Sequence, residues 1–213
     1  MTRAVVFDLA GVLIDWSPRY LYAKLLESDE EIDDFLTNVC SPSWRAEQDR
    51  GRSLATATAV LQAQLPRYGE LIAAYYGRWE EMLAGEIDGS VPVLRELSAA
   101  GVPLFALTNW SRETFEMMRP RFAFLEEFRG VVLSGDEGVL KPDAAIFAAL
   151  ERRYGLSPST TVFVDDSITN VEAAAVLGYD SIRFTDAPAL RSALAERGLL
   201  PASPASPAPV RTR

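Results

Sequence analysis

Histidine does not occur anywhere in this 213-residue chain. Its absence excludes Ser-His-Asp hydrolysis, histidine-ligated zinc and histidine acid–base chemistry together. Any catalysis must run on carboxylates, hydroxyls, Lys, Arg or a hard metal ion. Cysteine is almost as scarce. Cys40 stands alone, which leaves no intramolecular disulfide and no thiolate metal cluster. No apolar run is long enough to span a bilayer, and the N-terminus lacks the basic stretch and apolar segment of a secretory signal. The expected compartment is the cytoplasm, with no membrane partner. Basic residues are in deficit: 21 Lys and Arg stand against 30 Asp and Glu, for a net charge of −9. Without a Lys/Arg-rich stripe, nucleic acid is not an expected partner. An acidic chain binds a small anion only where a metal or local positive groups offset its field.

What is present reads as an ordinary globular protein, 48% hydrophobic and 24% charged. Short apolar runs at Ala4–Phe7, Val102–Leu107, Gly130–Leu133, Thr161–Val164 and Ser181–Phe184 suit strands buried on both faces of a parallel sheet. Helical patterns alternate with them over Ser90–Ala100, Arg112–Arg119, Asp143–Tyr154, Asn170–Leu177 and Ala187–Arg197. Gly101, Gly155, Gly178 and Gly198 follow four of these helices, where left-handed cap residues belong. The expected fold is α/β, a doubly wound, Rossmann-like parallel sheet with right-handed crossovers.

Between Asp15 and about Ile87 the alternation stops. Only helical segments are expected there, around Arg19–Glu27, Glu30–Val39, Leu54–Gln64 and Tyr68–Leu83, the first opened by Ser17-Pro18. A helical block inserted after the first strand either forms a lid over its carboxyl end or fills one side of the core. The expected organisation is a core of residues 1–15 and 88–200, a helical cap of 16–87, and a disordered Pro/Ala/Ser tail of 201–213. No internal repeat is visible, and oligomeric state is not legible.

The chemistry collects at strand ends. Asp8 closes the first strand and is followed at once by the turn Leu9-Ala10-Gly11-Val12; Asp165-Asp166 closes another strand. Thr108-Asn109 and Lys141 lie at two further strand ends or the loops after them. Open α/β sheets present ligand-binding groups along such an edge. Singly, each has a plainer reading: Asp8 as a turn cap, Thr108-Asn109 as a turn or helix cap, Lys141 as a solvated charge, Asp165-Asp166 as a loop-to-helix cap. Together, and in this order, they form a coherent candidate site.

The ordered set Asp8, Thr108, Lys141-Pro142 and Phe163-Val164-Asp165-Asp166-Ser167, with Asn170 after it, resembles the haloacid dehalogenase superfamily over about residues 4 to 185. The resemblance implies a phosphatase with a helical cap. Asp8 would be the nucleophile, forming an aspartyl-phosphate. Thr108, Asn109 and Lys141 would bind the phosphoryl group, with Lys141 also catalytic. Asp8, Asp165, Asp166 and the Ala10 main-chain carbonyl would hold Mg²⁺. A small phosphorylated metabolite, such as a sugar phosphate, would be the substrate.

Ala10 departs from the pattern. Phosphatases of the family typically carry a second Asp there as general acid and base, assistance worth about 10²–10⁴ in rate. Two alternatives stay open. A metal-independent 2-haloacid dehalogenase would also use Asp8 and would need an arginine for the halide, with Arg19 and Arg45 as candidates. A catalytically degenerate binding module would use none of this chemistry. Asp15, the next acid, is expected to serve the backbone at the cap hinge. Among the aromatics of the insertion most are core at helical spacing, while Trp16, Tyr20 and Trp44 are candidates for the pocket mouth. Trp110 also falls near the site by position.

Overall fold

The computed structural model describes residues 3–201; the expected disordered tail, beyond Pro201, lies outside the described residues. In chain order the strands are β1 (Ala4–Phe7), β2 (Ile14–Trp16), β3 (Leu83–Glu86), β4 (Leu104–Thr108), β5 (Gly130–Leu133), β6 (Thr161–Asp165) and β7 (Asp180–Arg183). Five of them form one sheet in the order β5-β4-β1-β6-β7, with every neighbouring pair parallel. This is the α/β Rossmann-like sheet that the alternation predicts. β1 lies at its centre, so Asp8 emerges between the ends of β4 and β6.

The insertion carries helices α1 (Arg19–Tyr22), α2 (Asp29–Asp34), α3 (Pro42–Asp49), α4 (Leu54–Gln64) and α5 (Gly69–Gly77). After it come α6 (Ser90–Ala99), α7 (Arg112–Met118), α8 (Ser134–Glu137), α9 (Ala144–Tyr154), α10 (Ile168–Val176) and α11 (Ala187–Glu196). Successive side chains of a strand point to opposite faces, and the core divides accordingly. Val5 and Phe7 of β1 join Val91, Leu94 and Leu97 of α6 and Leu190 and Leu194 of α11 in one cluster. Val6, between them, joins Phe105, Phe163 and the α9 residues Ile146, Phe147 and Leu150 in a second. Both faces of the sheet are therefore covered, as a parallel sheet requires. Asp143 and Asp186 cap α9 and α11 by accepting the main-chain N–H groups of Ala145 (2.8 Å) and Ala189 (2.7 Å). The four anticipated cap glycines all adopt left-handed φ between 67° and 94°.

The insertion corrects the sequence reading in four places. The segment 15–87 is not strand-free: β2 and β3 pair antiparallel at its two ends. Both strands are too short for an alternating pattern, and Gly85 interrupts the second. The expected helix 68–83 breaks into α5, a 3₁₀ turn (Trp79–Met82) and β3, while the one opened by Ser17-Pro18 stops after four residues. Helix α3 was not anticipated at all. Its start is nonetheless marked: Ser41 accepts the Trp44 N–H (3.2 Å) and Pro42 occupies the first turn.

Candidate active site

Asp8, Lys141 and Asp165 form a buried ion-pair triad at the carboxyl edge of the sheet. Lys141 Nζ lies 3.0 Å from Asp8 Oδ1 and 2.7 Å from Asp165 Oδ2, and the three residues are 4%, 8% and 0% exposed in the order Lys141, Asp8, Asp165. Asp8 Oδ1 and both oxygens of Asp165 are each held by two donors, Lys141 Nζ among them at Asp8 Oδ1 and Asp165 Oδ2. Leu9 N–H donates to Asp8 Oδ1 (2.7 Å), Ser167 N–H to Asp165 Oδ1 (2.9 Å), and the Asn170 amide to both oxygens of Asp165 (3.1 Å each). Asp8 Oδ2 accepts no hydrogen bond from the described residues.

Lys141 is placed by an amide clamp. Asn109 Oδ1 accepts the Lys141 N–H (2.9 Å) and Asn109 Nδ2 donates to the Lys141 carbonyl (3.1 Å). The Asn109 side chain is thus committed to Lys141's main chain. Thr108, 1% exposed, lines the cavity, and its hydroxyl makes no hydrogen bond with the described residues.

Burial works against charge throughout this site. It pushes the Asp8 carboxyl up to about 7; Lys141 pulls it down and Asp165 pushes it further up. Burial also opposes the Lys141 ammonium, but Asp8 and Asp165 outweigh it and hold the group above its ordinary value. Asp166, exposed at the rim, is raised by partial burial and by Asp165.

One ammonium faces three carboxylates. Ligand oxygens of Asp8, Asp165 and Asp166 lie within 4.8 Å of one another. At an effective dielectric of ~20, two carboxylates at that separation repel by about 3 kcal/mol. Hard oxygen donors with surplus negative charge suit a hard divalent cation. The turn after Asp8 offers one more oxygen. Gly11 N–H donates to Ile14 (2.9 Å) and Ile14 N–H to Leu9 (2.9 Å), while no described main-chain N–H takes the Ala10 carbonyl. Gly11 is required there, because its φ is 77° and a Cβ would sit 2.6 Å from Asp166 Oδ2.

Above the triad lies a cavity of about 280 Å³, bounded by Asp8, Ala10, Thr108, Asn109 and Trp110 from the sheet edge and by Trp16, Arg45, Asp49, Tyr75, Tyr76 and Trp79 from the insertion. Trp79 and Trp110 meet edge to face across it at 5.7 Å. Of the two candidate arginines, Arg45 lines the cavity and stacks on Trp16 (5.5 Å), whereas Arg19 is exposed and paired with Asp29 and Asp33. Of the aromatics expected at the mouth, Trp16 is there. Tyr20 instead donates to Asp15 Oδ1 (2.9 Å), so Asp15 serves a side chain rather than the backbone. Trp44 packs behind the wall against Tyr75 and Tyr76, at 5.3 and 5.4 Å. Sequence reasoning missed Asp49, on the unanticipated helix α3. Tyr75, Tyr76 and Trp79 belong to the insertion aromatics that helical spacing assigns mostly to the core, yet all three line the cavity. Ser41-Pro42 was the signal that would have exposed the helix.

Comparison with known proteins identifies the family and the fold. The family profile described as haloacid dehalogenase-like hydrolase matches residues 2–178. The sesquiterpene phosphatase astK of Aspergillus oryzae is 28% identical over 185 residues, covering 86% of this chain and 90% of that protein. The phosphoglycolate phosphatase of Escherichia coli K12 is 27% identical over 210 residues, covering 86% and 81%. A HAD family enzyme of Bacteroides thetaiotaomicron, solved in complex with magnesium and inorganic phosphate, shares the fold at a TM-score of 0.66 and 19% identity, covering 87% of this chain and 96% of that one. The chain belongs to the haloacid dehalogenase-like hydrolases.

Proposed function

We propose that this hydrolase is a Mg²⁺-dependent phosphomonoesterase that acts on a small phosphorylated metabolite through an aspartyl-phosphate on Asp8. The observation that carries the reading is Lys141 Nζ between Asp8 and Asp165, with a third carboxylate, Asp166, close by, and Asp8 itself lining a cavity of about 280 Å³. The phosphatase names of the two relatives above support it.

The chain's own residues supply most of the steps. Leu9 N–H and Lys141 hold Asp8 Oδ1, which fixes the carboxylate and leaves Oδ2 without a donor among the described residues. An Asp8 oxygen attacks phosphorus, the bond to the leaving oxygen breaks, and that oxygen takes up a proton. Water then attacks the same phosphorus, loses a proton, and releases inorganic phosphate and free Asp8. Lys141 and the Thr108 hydroxyl stabilise the charge on the transferring oxygens. Asn109 acts on Lys141 through its amide clamp and on the phosphoryl group through its main-chain N–H. Asp8, Asp165, Asp166 and the Ala10 carbonyl would hold Mg²⁺, which when bound neutralises phosphate charge before attack. Residues 16–87 act as a cap over the core formed by 1–15 and 88–200, closing the pocket to large substrates. Ala10, where the family's second Asp is expected, supplies no proton.

Inorganic phosphate release from an aryl phosphate, with and without Mg²⁺, tests the reading, with Asp8→Asn in parallel. Wild-type release that needs Mg²⁺ and falls on the order of 10⁴-fold or more in Asp8→Asn is expected, as for other lost nucleophiles. No release from folded protein would sink it. Arg45 in the cavity favours a second reading, displacement of halide from a 2-haloacid by Asp8; halide release insensitive to EDTA would establish that instead.

A further inference from the structure

The reaction above needs a proton donor for the leaving group and an acceptor for the attacking water, and the methyl group of Ala10 is neither. We propose that Asp49, on helix α3 of the insertion, is that general acid and base. As the bond from phosphorus to the leaving oxygen breaks, the Asp49 carboxylic acid gives its proton to that oxygen. Its carboxylate then takes a proton from the water that attacks phosphorus, which restores the acid. The assignment rests on the phosphatase reading and deepens it.

Three observations carry it. Asp49 lines the same cavity as Asp8, Ala10 and Thr108, from the opposite wall. It is also clasped to the core. Ser134 Oγ donates to the Asp49 carbonyl (2.6 Å), and Ser134 Oγ and Gly135 N–H reach the Trp110 carbonyl (3.4 and 3.2 Å), two residues beyond Thr108. Gly51, at φ 100°, permits that approach, since a Cβ there would sit 2.5 Å from the Gly135 carbonyl. A mobile cap would not hold an acid in register with the sheet edge; this clasp does.

Third, the Asp49 carboxyl accepts no hydrogen bond and forms no ion pair among the described residues, although it is only half-exposed to solvent at most. Its charged and titratable neighbours are Arg45 and Arg50 on its own helix and Tyr75 and Tyr76 from α5. Burial outweighs the pull of the two arginines and lifts Asp49 to about 7. An acid half-protonated near neutrality gives and takes a proton equally well. Glu47, two residues earlier and exposed, pairs instead with Arg50 at 3.0 Å.

The leaving group reports on a general acid, because a good leaving group needs no proton. The experiment compares wild type, Asp49→Asn and Asp49→Glu on a nitrophenyl phosphate and on an alkyl phosphate, with Mg²⁺ present and folding checked by thermal melting. In Asp49→Asn, kcat on the alkyl ester is expected to fall about 10²–10⁴-fold. On the nitrophenyl ester it is expected to fall less than about tenfold, and Asp49→Glu is expected to recover part of the alkyl activity. An equal loss on both esters, or none on either, overturns the assignment of Asp49 while leaving Asp8 in place. If wild type releases phosphate from neither ester, the phosphatase reading fails, and this assignment with it.

Discussion

The two walls of the cavity are built by opposite rules. On the sheet side, the buried charges are met before any ligand arrives: Lys141 by two carboxylates, Asp165 by Lys141, Ser167 and Asn170, and the Lys141 main chain by Asn109. On the insertion side, Trp16 Nε1, Arg45 Nε and the Tyr75 hydroxyl are buried without a partner among the described residues, and the Asp49 carboxyl is unpaired among them too. A buried polar group without a partner costs about 1–3 kcal/mol. Three such groups around one cavity, with the partly exposed Asp49 carboxyl beside them, mark a wall that the described residues leave unsatisfied. The charges of the sheet wall are held in place by one another, whereas the insertion wall leaves groups, Asp49 among them, free to meet a ligand.

If that contrast is real, the same kind of substitution has opposite effects on the two sides. The largest effect is expected at Lys141. Lys141→Met leaves Asp8 and Asp165 facing each other as unpaired buried acids, and breaking such a pair costs about 3–5 kcal/mol. Denaturant unfolding in the absence of divalent metal checks this; a loss under ~1 kcal/mol would mean that the triad is not the rigid element described.

On the other wall, Tyr75→Phe removes a buried hydroxyl without a hydrogen-bond partner among the described residues and keeps the ring contacts with Tyr22, Trp44 and Tyr76. Stability is expected to rise by about 1 kcal/mol while KM for the substrate worsens. A loss of stability on the scale of the Lys141 variant would erase the distinction between the walls.

The effect expected at Asp49 is no larger than that at Tyr75, and it depends on pH. The unfolded carboxyl ionises near 3.8 and the folded one near 7, so between these values the native state holds a proton that the unfolded chain has released. Asp49 therefore destabilises the fold increasingly as pH rises through that window, and fully above it. Asp49→Asn is expected to melt about 2–4 °C above wild type at pH 8, roughly 1 kcal/mol for this partly screened group, with the gain vanishing toward pH 4. A gain independent of pH would show that Asp49 is not ionised by burial-limited titration at all.

The sheet and its edge were legible in the sequence because two independent patterns converge there. Short continuous apolar runs such as Ala4–Phe7 and Thr161–Val164 mark strands buried on both sides, and acids at their ends stand out against that background. Lys141 was legible only through its neighbours in the motif, since nothing local distinguishes a buried lysine from a solvated one. Asn109 shows the limit of residue-type reasoning: an amide beside Thr108 suits phosphate, yet its side chain clamps Lys141. The insertion was harder because its residues lack a single partner surface. Tyr75 is at once core, against Tyr22, and cavity wall, and a helical period reports only the first role. Strand β2, Ile14-Asp15-Trp16, is three residues long and is held by pairing with Leu83–Glu86, about 70 positions away. Asp49 was lost with helix α3, whose polar composition hides it from any search for apolar periodicity.

The central claim is that Asp8 carries the phosphoryl group during turnover. The most direct measurement is mass spectrometry of protein acid-quenched during steady turnover of an aryl phosphate with Mg²⁺. A phosphoryl adduct on the peptide bearing Asp8, absent from Asp8→Asn and from enzyme without substrate, is the expected result. Sustained phosphate release with no adduct on Asp8, or release undiminished in Asp8→Asn, would contradict the account.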